Sequence, residues 1–130
     1  MKILLLLAAV FTLSSASVNA QENDENIILK KGKATYYHSK FVGRKTTSGQ
    51  VYRHEKFTAA HKTLPFGTEV TVVNPRNGKS VVVVINDRGP FHKHLMIDLS
   101  QAAARAIGII GQGIAAVEMS YTPRVLLAEK

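Results

Sequence analysis

The 130-residue chain contains no cysteine and carries 17 lysine and arginine residues against 9 aspartate and glutamate residues, a formal net charge of +8. A domain of this size without cysteine is held together by its hydrophobic core, which excludes a disulfide scaffold and a cysteine nucleophile. Its basic surface favours polyanions. Since the chain opens with an export signal, we expect wall polymers or anionic head groups as partners, and not nucleic acid.

The first twenty residues have the pattern of a secretory signal peptide. Lys2 supplies a positive charge, residues 3–11 form an apolar stretch, and Val18 and Ala20 are the small residues of a cleavage site. The apolar stretch is shorter than the roughly 20 residues that span a bilayer. We predict cleavage after Ala20 and an exported protein, located in the periplasm or secreted to the cell wall. Because no cysteine follows the cleavage site to carry a lipid, we expect no membrane anchor, and we expect a monomer.

The remainder of the chain is predicted to be one domain of short strands. Residues 21–31 are polar and acidic, which indicates a flexible leader, and the domain is expected over 32–122, followed by a tail over 123–130. Alternating or β-branched apolar runs predict strands over 32–37, 57–61, 68–73, 81–85 and 114–121. An Asn-Gly turn within 74–78 predicts an antiparallel hairpin between the third and fourth of these strands.

One short helix is expected in this domain. The alanine-rich stretch 101–107 ends at Gly108 and is preceded by Asp98 and Ser100, either of which is a suitable N-cap. About six short strands, glycine and proline turns and a single helix indicate an all-β fold, a small closed barrel.

Asp87 is the main candidate for chemistry. It follows the β-branched run 81–85 and precedes Arg88, Gly89 and Pro90, which end the strand because proline donates no ladder hydrogen bond. We expect burial beside apolar walls to raise the pKa of the Asp87 carboxyl towards the range in which it donates a proton. The structural alternative is that Asp87 accepts N–H bonds from the turn that follows it.

His61 is the second candidate, because it also ends a short apolar strand beside a proline and glycine corner. A histidine near a carboxyl group in a polysaccharide groove can orient or assist it. A structural role for His61 stays open. Tyr36 and Tyr37 are candidates for a sugar-stacking surface, since aromatic faces pack on the apolar faces of pyranose rings, with a place in the core as the alternative.

Other chemistries receive little support from the sequence. His92 and His94 with Asp98 have residue types that bind zinc or copper, but they lie in a basic loop without a spaced zinc motif, so solvated histidines are expected and no metal is predicted. The chain lacks a Gly-x-Ser-x-Gly motif and a Walker-type loop, which excludes the common serine hydrolase and nucleotide-binding signatures.

Four stretches together resemble one known family. GKATYYHSKFVGRKTTSG, FTAAHKTLPFGTEVTVVN, NGKSVVVVINDRGPF and IDLSQAAARAIG are similar to the domain of the rare lipoprotein A family of septal lytic transglycosylases. The resemblance implies a double-psi β-barrel that cleaves peptidoglycan glycan strands between N-acetylmuramic acid and N-acetylglucosamine without water, leaving a 1,6-anhydro end. It implies Asp87 as catalytic acid/base, His61 as its essential partner and no cofactor.

The chain departs from the family pattern at one position. Relatives often carry an acidic residue after the TASG-like turn, where this chain has Gln50, so a carboxylate there is missing unless Glu55 supplies it. Gln50, Glu55 and Arg88 join the two tyrosines as expected substrate contacts. The leading hypothesis is therefore a lytic transglycosylase. Its alternatives are a noncatalytic, expansin-like protein that loosens the wall and, less supported because cysteines are absent, a barwin-type inhibitor or defence protein.

Overall fold

The computed structural model describes residues 26–123, which form a closed six-stranded barrel with one α-helix. The elements are β1 (Ile28–Tyr36), a 3₁₀ turn (Ser39–Phe41), β2 (Thr58–His61), β3 (Glu69–Val73), β4 (Ser80–Asp87), β5 (Ile97–Leu99), α1 (Gln101–Ala106) and β6 (Ala115–Tyr121). Around the barrel the order is β1-β5-β2-β4-β3-β6. Within this range no helix is long and apolar enough to cross a membrane.

The barrel closes around the apolar residues that alternate along its strands. Val70 and Val72 of β3 face inward with Val83 and Ile85 of β4, and all four side chains are fully buried. The exposed Val82 belongs to the opposite face of β4, as period-two alternation requires. The predicted hairpin is confirmed, because β3 and β4 pair antiparallel across residues 74–79.

Two parallel pairs, β1 with β5 and β2 with β4, interrupt the antiparallel pairing. They bring strands together that are distant in sequence, and they place the end of β2 beside the end of β4. The closed all-β barrel with about six strands and one helix is confirmed, including the double-psi β-barrel that the family resemblance implied.

Some predicted boundaries were wrong. The leader was expected to reach residue 31, but β1 begins at Ile28, because Ile28 already pairs with Tyr121 of β6. The strand β5 was not predicted, since three residues are too few for a periodic signal. Of the two possible N-caps, the helix uses Ser100, whose side chain accepts a hydrogen bond from the Ala103 N–H at 3.3 Å. The predicted signal peptide lies outside the described residues, as do residues 21–25 of the leader and nearly all of the tail.

Candidate functional site

The candidate site is a row of residues that crosses four neighbouring strands. Asp98 on β5 pairs with Thr35 of β1 on one side and with Ala60 of β2 on the other, and Ala60 pairs with Asp87 of β4. Residues directly opposite each other in a sheet share a face. The row therefore lies on the outer face of the barrel, because the chain neighbours of Thr35, Ala60 and Asp98 point into the core, namely Ala34, Ala59, Ile97 and Leu99.

A β-bulge places Asp87 in this row. The register of β2 against β4 shifts between Ala59, which pairs with Ile85, and Ala60, which pairs with Asp87, so Asn86 is an extra residue on β4. Strict alternation from Ile85 would have turned Asp87 into the core. The extra residue redirects Asp87 to the outer face, as bulges beside active sites commonly do.

The Asp87 carboxylate is held by four hydrogen bonds. Its Oδ2 accepts from the Tyr37 hydroxyl at 2.5 Å, and its Oδ1 accepts from the Thr47 N–H at 2.8 Å, the Thr47 hydroxyl at 2.8 Å and its neighbouring Arg88 N–H at 2.9 Å. A carboxylate offers about four lone-pair positions, two on each oxygen. Oδ1 is thus saturated, whereas Oδ2 keeps one acceptor position.

These donors determine the charge of Asp87. Burial is the largest single effect and raises the pKa of Asp87, but the hydrogen bonds from Tyr37, Thr47 and Arg88 together outweigh it and hold this pKa below its ordinary value. The prediction that burial would leave Asp87 able to donate a proton was therefore wrong, because it did not include the donors that the fold supplies. Asp87 is ionised at neutral pH.

Asp98 lies on β5, separated from Asp87 by the strand β2, and it lacks the donors that surround Asp87. Its Oδ1 is buried and has no hydrogen-bond partner. Burial, with a smaller contribution from the negative charge of Asp87, raises the pKa of Asp98 to about 7. The outer face of the barrel thus carries two carboxyl groups, one ionised and one that holds a proton near neutral pH.

His61 ends β2 at the same edge of the barrel. It is 9% exposed, and its Nδ1 accepts hydrogen bonds from the N–H groups of Thr63 at 3.1 Å and Leu64 at 3.0 Å. Burial, followed by the positive charges of Lys30, Arg88 and Lys62, lowers the pKa of His61. Because Nδ1 is an acceptor, the proton of this neutral ring sits on Nε2.

Arg88 connects the ends of the two strands. Its guanidinium donates to the His61 carbonyl at 3.2 Å and to the Leu64 carbonyl at 2.7 Å, and it stacks on the Phe66 ring at 4.1 Å from the centroid. Both of these hydrogen bonds come from Nη1, so a structural role for Arg88 stands beside the expected contact with substrate. Arg88 fixes the loop after His61 next to Asp87.

The structure packs both rings of the expected sugar-stacking surface, Tyr36 and Tyr37, against other parts of the protein. Tyr36 packs against the barrel core, and its hydroxyl donates to the Ile110 carbonyl. Tyr37 is 6% exposed and stacks on Tyr52 with the centroids 4.1 Å apart. The Tyr37 hydroxyl nevertheless belongs to the site through Asp87.

The two remaining expected substrate contacts lie in different places. Gln50 is exposed beside Asp87, where its Oε1 accepts from the Asn86 side-chain amide at 3.1 Å. Glu55 is exposed in the loop before β2, and its negative charge acts on Tyr52. In the described part of the chain no contact joins Glu55 to Asp87, so nothing indicates that Glu55 replaces the carboxylate missing at Gln50.

The loop histidines were correctly expected to be solvated. His92 and His94 are exposed, with ring centroids 5.5 Å apart. Across residues 26–123 no three histidine, aspartate or glutamate side chains gather as a metal site.

Sequence reasoning missed two parts of the site. Thr47 and the Tyr37 hydroxyl are donors to Asp87 from residues 40 and 50 positions away, and no local pattern marks such contacts. The place of Asp98 did have a signal, because in Ile97-Asp98-Leu99 a polar residue stands between two apolar ones, as in a short half-buried strand.

Comparison with known proteins identifies a family. The sequence profile of a family described as lytic transglycolase matches residues 29–119. A protein of Haemophilus influenzae named endolytic peptidoglycan transglycosylase RlpA is 53% identical over 97 residues, which cover 75% of this chain and 34% of that protein. A protein of the same name from Pasteurella multocida is 57% identical over 90 residues, covering 69% of this chain and 31% of that protein. The chain spans about a third of the length of these curated relatives.

Solved structures share the barrel at lower identity. An expansin of Clavibacter michiganensis matches with a TM-score of 0.59 and 23% identity, covering 73% of this chain and 50% of that chain. A papain inhibitor of Streptomyces matches with a TM-score of 0.59 and 24% identity, covering 73% and 94%. These two likenesses extend to the fold alone.

Proposed function

Because the chain belongs to the lytic transglycolase family, we propose that its barrel is a lytic transglycosylase that cleaves peptidoglycan glycan strands. The bond broken is that between N-acetylmuramic acid and N-acetylglucosamine, and the product is a 1,6-anhydro end. The names of the curated relatives favour a cut within the strand. The observation that carries the proposal is the Asp87 carboxylate, ionised and rigidly held on the outer face of the barrel.

An ionised Asp87 suits the second half of such a reaction. In a lytic transglycosylase the C6 hydroxyl of the sugar attacks its own C1, so the enzyme supplies a base and no nucleophile. Oδ2 accepts one hydrogen bond, from Tyr37, and keeps a lone pair for the hydroxyl proton. The negative charge also stabilises the positive charge that develops at C1.

His61 is proposed to bind substrate as a neutral hydrogen-bond donor. Its Nδ1 is occupied by two backbone N–H groups, so Nε2–H is the part of the ring left for a sugar oxygen. The same two bonds fix the ring, and such a fixed donor loses little entropy when substrate binds.

Phe91 is the proposed sugar-stacking residue in place of the two tyrosines. It follows Asp87 by four positions and is 90% exposed. Its ring lies over Gly89, where an added Cβ would be 3.7 Å from Cε2. The loop is held beside His61, because the Lys62 ammonium donates to the His92 carbonyl at 3.2 Å. A sugar ring can cover this exposed face next to the site.

The proposed location and partner follow from the substrate. Peptidoglycan lies outside the cytoplasm, so an exported protein is required, and the signal peptide over residues 1–20 remains a prediction. The +8 charge of the whole chain favours attraction to the acidic wall.

The direct test is incubation of the protein with purified glycan strands, followed by mass spectrometry of the fragments. We expect fragments with 1,6-anhydro ends, lighter by one water than products of hydrolysis. Asp87→Asn keeps the size of the side chain but removes the base, so we expect a loss of roughly 10²- to 10⁴-fold in rate. Circular dichroism would show whether the variant keeps its fold.

Other results would contradict the proposal in distinct ways. Binding to glycan without fragments would indicate the noncatalytic, expansin-like alternative. Fragments with reducing ends would indicate a hydrolase. Undiminished activity in folded Asp87→Asn would remove Asp87 from the chemistry.

A further inference from the structure

We propose that Asp98 is a second catalytic residue of this site, the carboxylic acid that protonates the leaving glycosidic oxygen. This inference rests on the proposed function and divides its proton transfers between two groups. Asp87 takes a proton and Asp98 gives one.

The geometry places Asp98 within reach of the same substrate. Asp98 and Asp87 are both paired with Ala60, from β5 and from β4, so they lie on one face with a single strand between them. Neighbouring strands are about 4.8 Å apart, which puts the two Cα atoms on the order of 10 Å from each other. The side chain between them is the methyl group of Ala60, which is buried under the rings of Tyr37 and Tyr52.

The unpartnered oxygen is an independent observation. A buried polar atom without a partner is rare in native proteins and needs an explanation. Asp98 Oδ1 is such an atom, whereas both carboxyl oxygens of Asp87 accept hydrogen bonds. A carboxyl group that must carry a proton and exchange it gains from having no donors around it, because each donor would stabilise the ionised form.

The groups that face Asp98 all keep it protonated or leave it unaffected. Asp87, at the end of β4, contributes a negative charge. Tyr37, just after β1, and Tyr52, in the loop before β2, each contribute a phenol. Both phenols have a raised pKa and are neutral. The neighbour on β2 is Ala60, and no cation contributes to the titration of Asp98.

The proton transfers balance. Protonated Asp98 gives its proton to the glycosidic oxygen as the C1–O bond breaks, and the bonding electrons leave with that oxygen as an alcohol. The C6 oxygen forms a bond to C1, and its proton passes to the Asp87 carboxylate. Return of the proton from Asp87 to Asp98 through solvent restores the starting state without any further reactant.

The test compares Asp98→Asn with the wild type in the glycan assay across pH. We expect the wild-type rate to fall as pH rises through about 7, because the proton on Asp98 is lost there. Asp98→Asn should lose roughly 10²- to 10⁴-fold in rate and should lose this alkaline decline. Glu118→Gln makes the same change on β6, where the carboxylate pairs with Lys31, and should keep both the rate and the pH profile.

A second measurement keeps the inference testable whatever the variant does. Carbon-13 NMR of the wild-type carboxyl groups should show Asp98 still protonated at pH 6. Titration of Asp98 in the ordinary aspartate range would overturn the inference, as would a folded Asp98→Asn variant with the wild-type rate and alkaline decline. If the wild type forms no anhydro ends, the proposed function fails instead, and the NMR titration still reports on Asp98.

Discussion

The end of β4 and the middle of β5 hold chemically identical groups in opposite states. At the end of β4, Asp87 accepts four hydrogen bonds and is ionised. On β5, Asp98 has a buried oxygen without a partner and a pKa of about 7. Both are partly buried on one face, so burial alone does not decide the charge. The difference lies in the donors: Tyr37, Thr47 and the Arg88 N–H donate to Asp87, whereas Asp98 Oδ1 has no hydrogen-bond partner.

The difference between the two carboxyl groups also explains why the site lies at the β-bulge in β4. The bulge at Asn86 turns Asp87 away from the core and towards Thr47, while Asp98 stays in a regular strand whose neighbours are small. Pairs of titratable groups with pKa values pushed apart are typical of acid/base sites.

The largest expected effect on stability comes from Asp98. Its pKa is raised from 3.8 to about 7, so folding favours the protonated form. This contribution is fully present below pH 4 and is lost as pH rises through 7. At one pKa unit per 1.36 kcal/mol, the loss is at most about 4 kcal/mol. We therefore expect Asp98→Asn, which does not titrate, to be more stable than wild type at pH 8 and equal to it at pH 4, as measured by urea unfolding.

An equal effect of Asp98→Asn at both pH values would contradict a raised pKa for Asp98. Glu118→Gln serves as the control, because its carboxylate is in an exposed ion pair and should give a small difference at either pH. A more stable and less active Asp98→Asn variant would show that the acid is retained at a cost in stability.

The sequence predicts the strands that carry this site better than it predicts how these strands pair. Val81–Ile85 and the Asn-Gly hairpin have local signals, and Asp87 was correctly expected at a strand end. The parallel pairing of β2 with β4 has no local signal, and neither does the bulge that redirects Asp87. The hydrogen bonds of Arg88 and Tyr37 were not predicted for the same reason, since their partners are 24 to 50 residues away.

Tyr37→Phe tests whether donors cause the contrast between the two carboxyl groups. The change removes the hydroxyl that donates to Asp87 Oδ2 and leaves the stacked ring in place. A hydrogen bond to a charged group contributes about 1.5–3 kcal/mol, so we expect a loss of stability of that order at pH 7 and a rise in the pKa of Asp87. Ionised Asp87 stabilises the fold, and this contribution is lost as pH falls through its pKa. In Tyr37→Phe the loss should therefore occur at a higher pH than in wild type. Carbon-13 NMR would measure both titrations.

Asp98 should respond far less to Tyr37→Phe, because no hydrogen bond joins it to Tyr37 in the described range. A pKa of Asp98 that moves as much as that of Asp87 would show that the two groups titrate as one coupled pair, and their separate roles would not stand.

The smallest expected effect is on glycan binding, and it comes from a change at Phe91. Phe91 follows Asp87 in the chain and is 90% exposed, so a sugar stacked on it would approach the site from the side of β4. Phe91→Ala should weaken glycan binding by about 3- to 10-fold, as loss of one exposed aromatic contact of about 0.5–1.5 kcal/mol predicts, with little change in the pH profile. Phe57→Ala is the matched control, because Phe57 is 49% exposed at the opposite end of β2. Isothermal titration with glycan fragments would measure both variants. Equal losses would mean that sugars contact exposed aromatic residues without regard to the carboxyl pair, and the assignment of Phe91 to the site would fail.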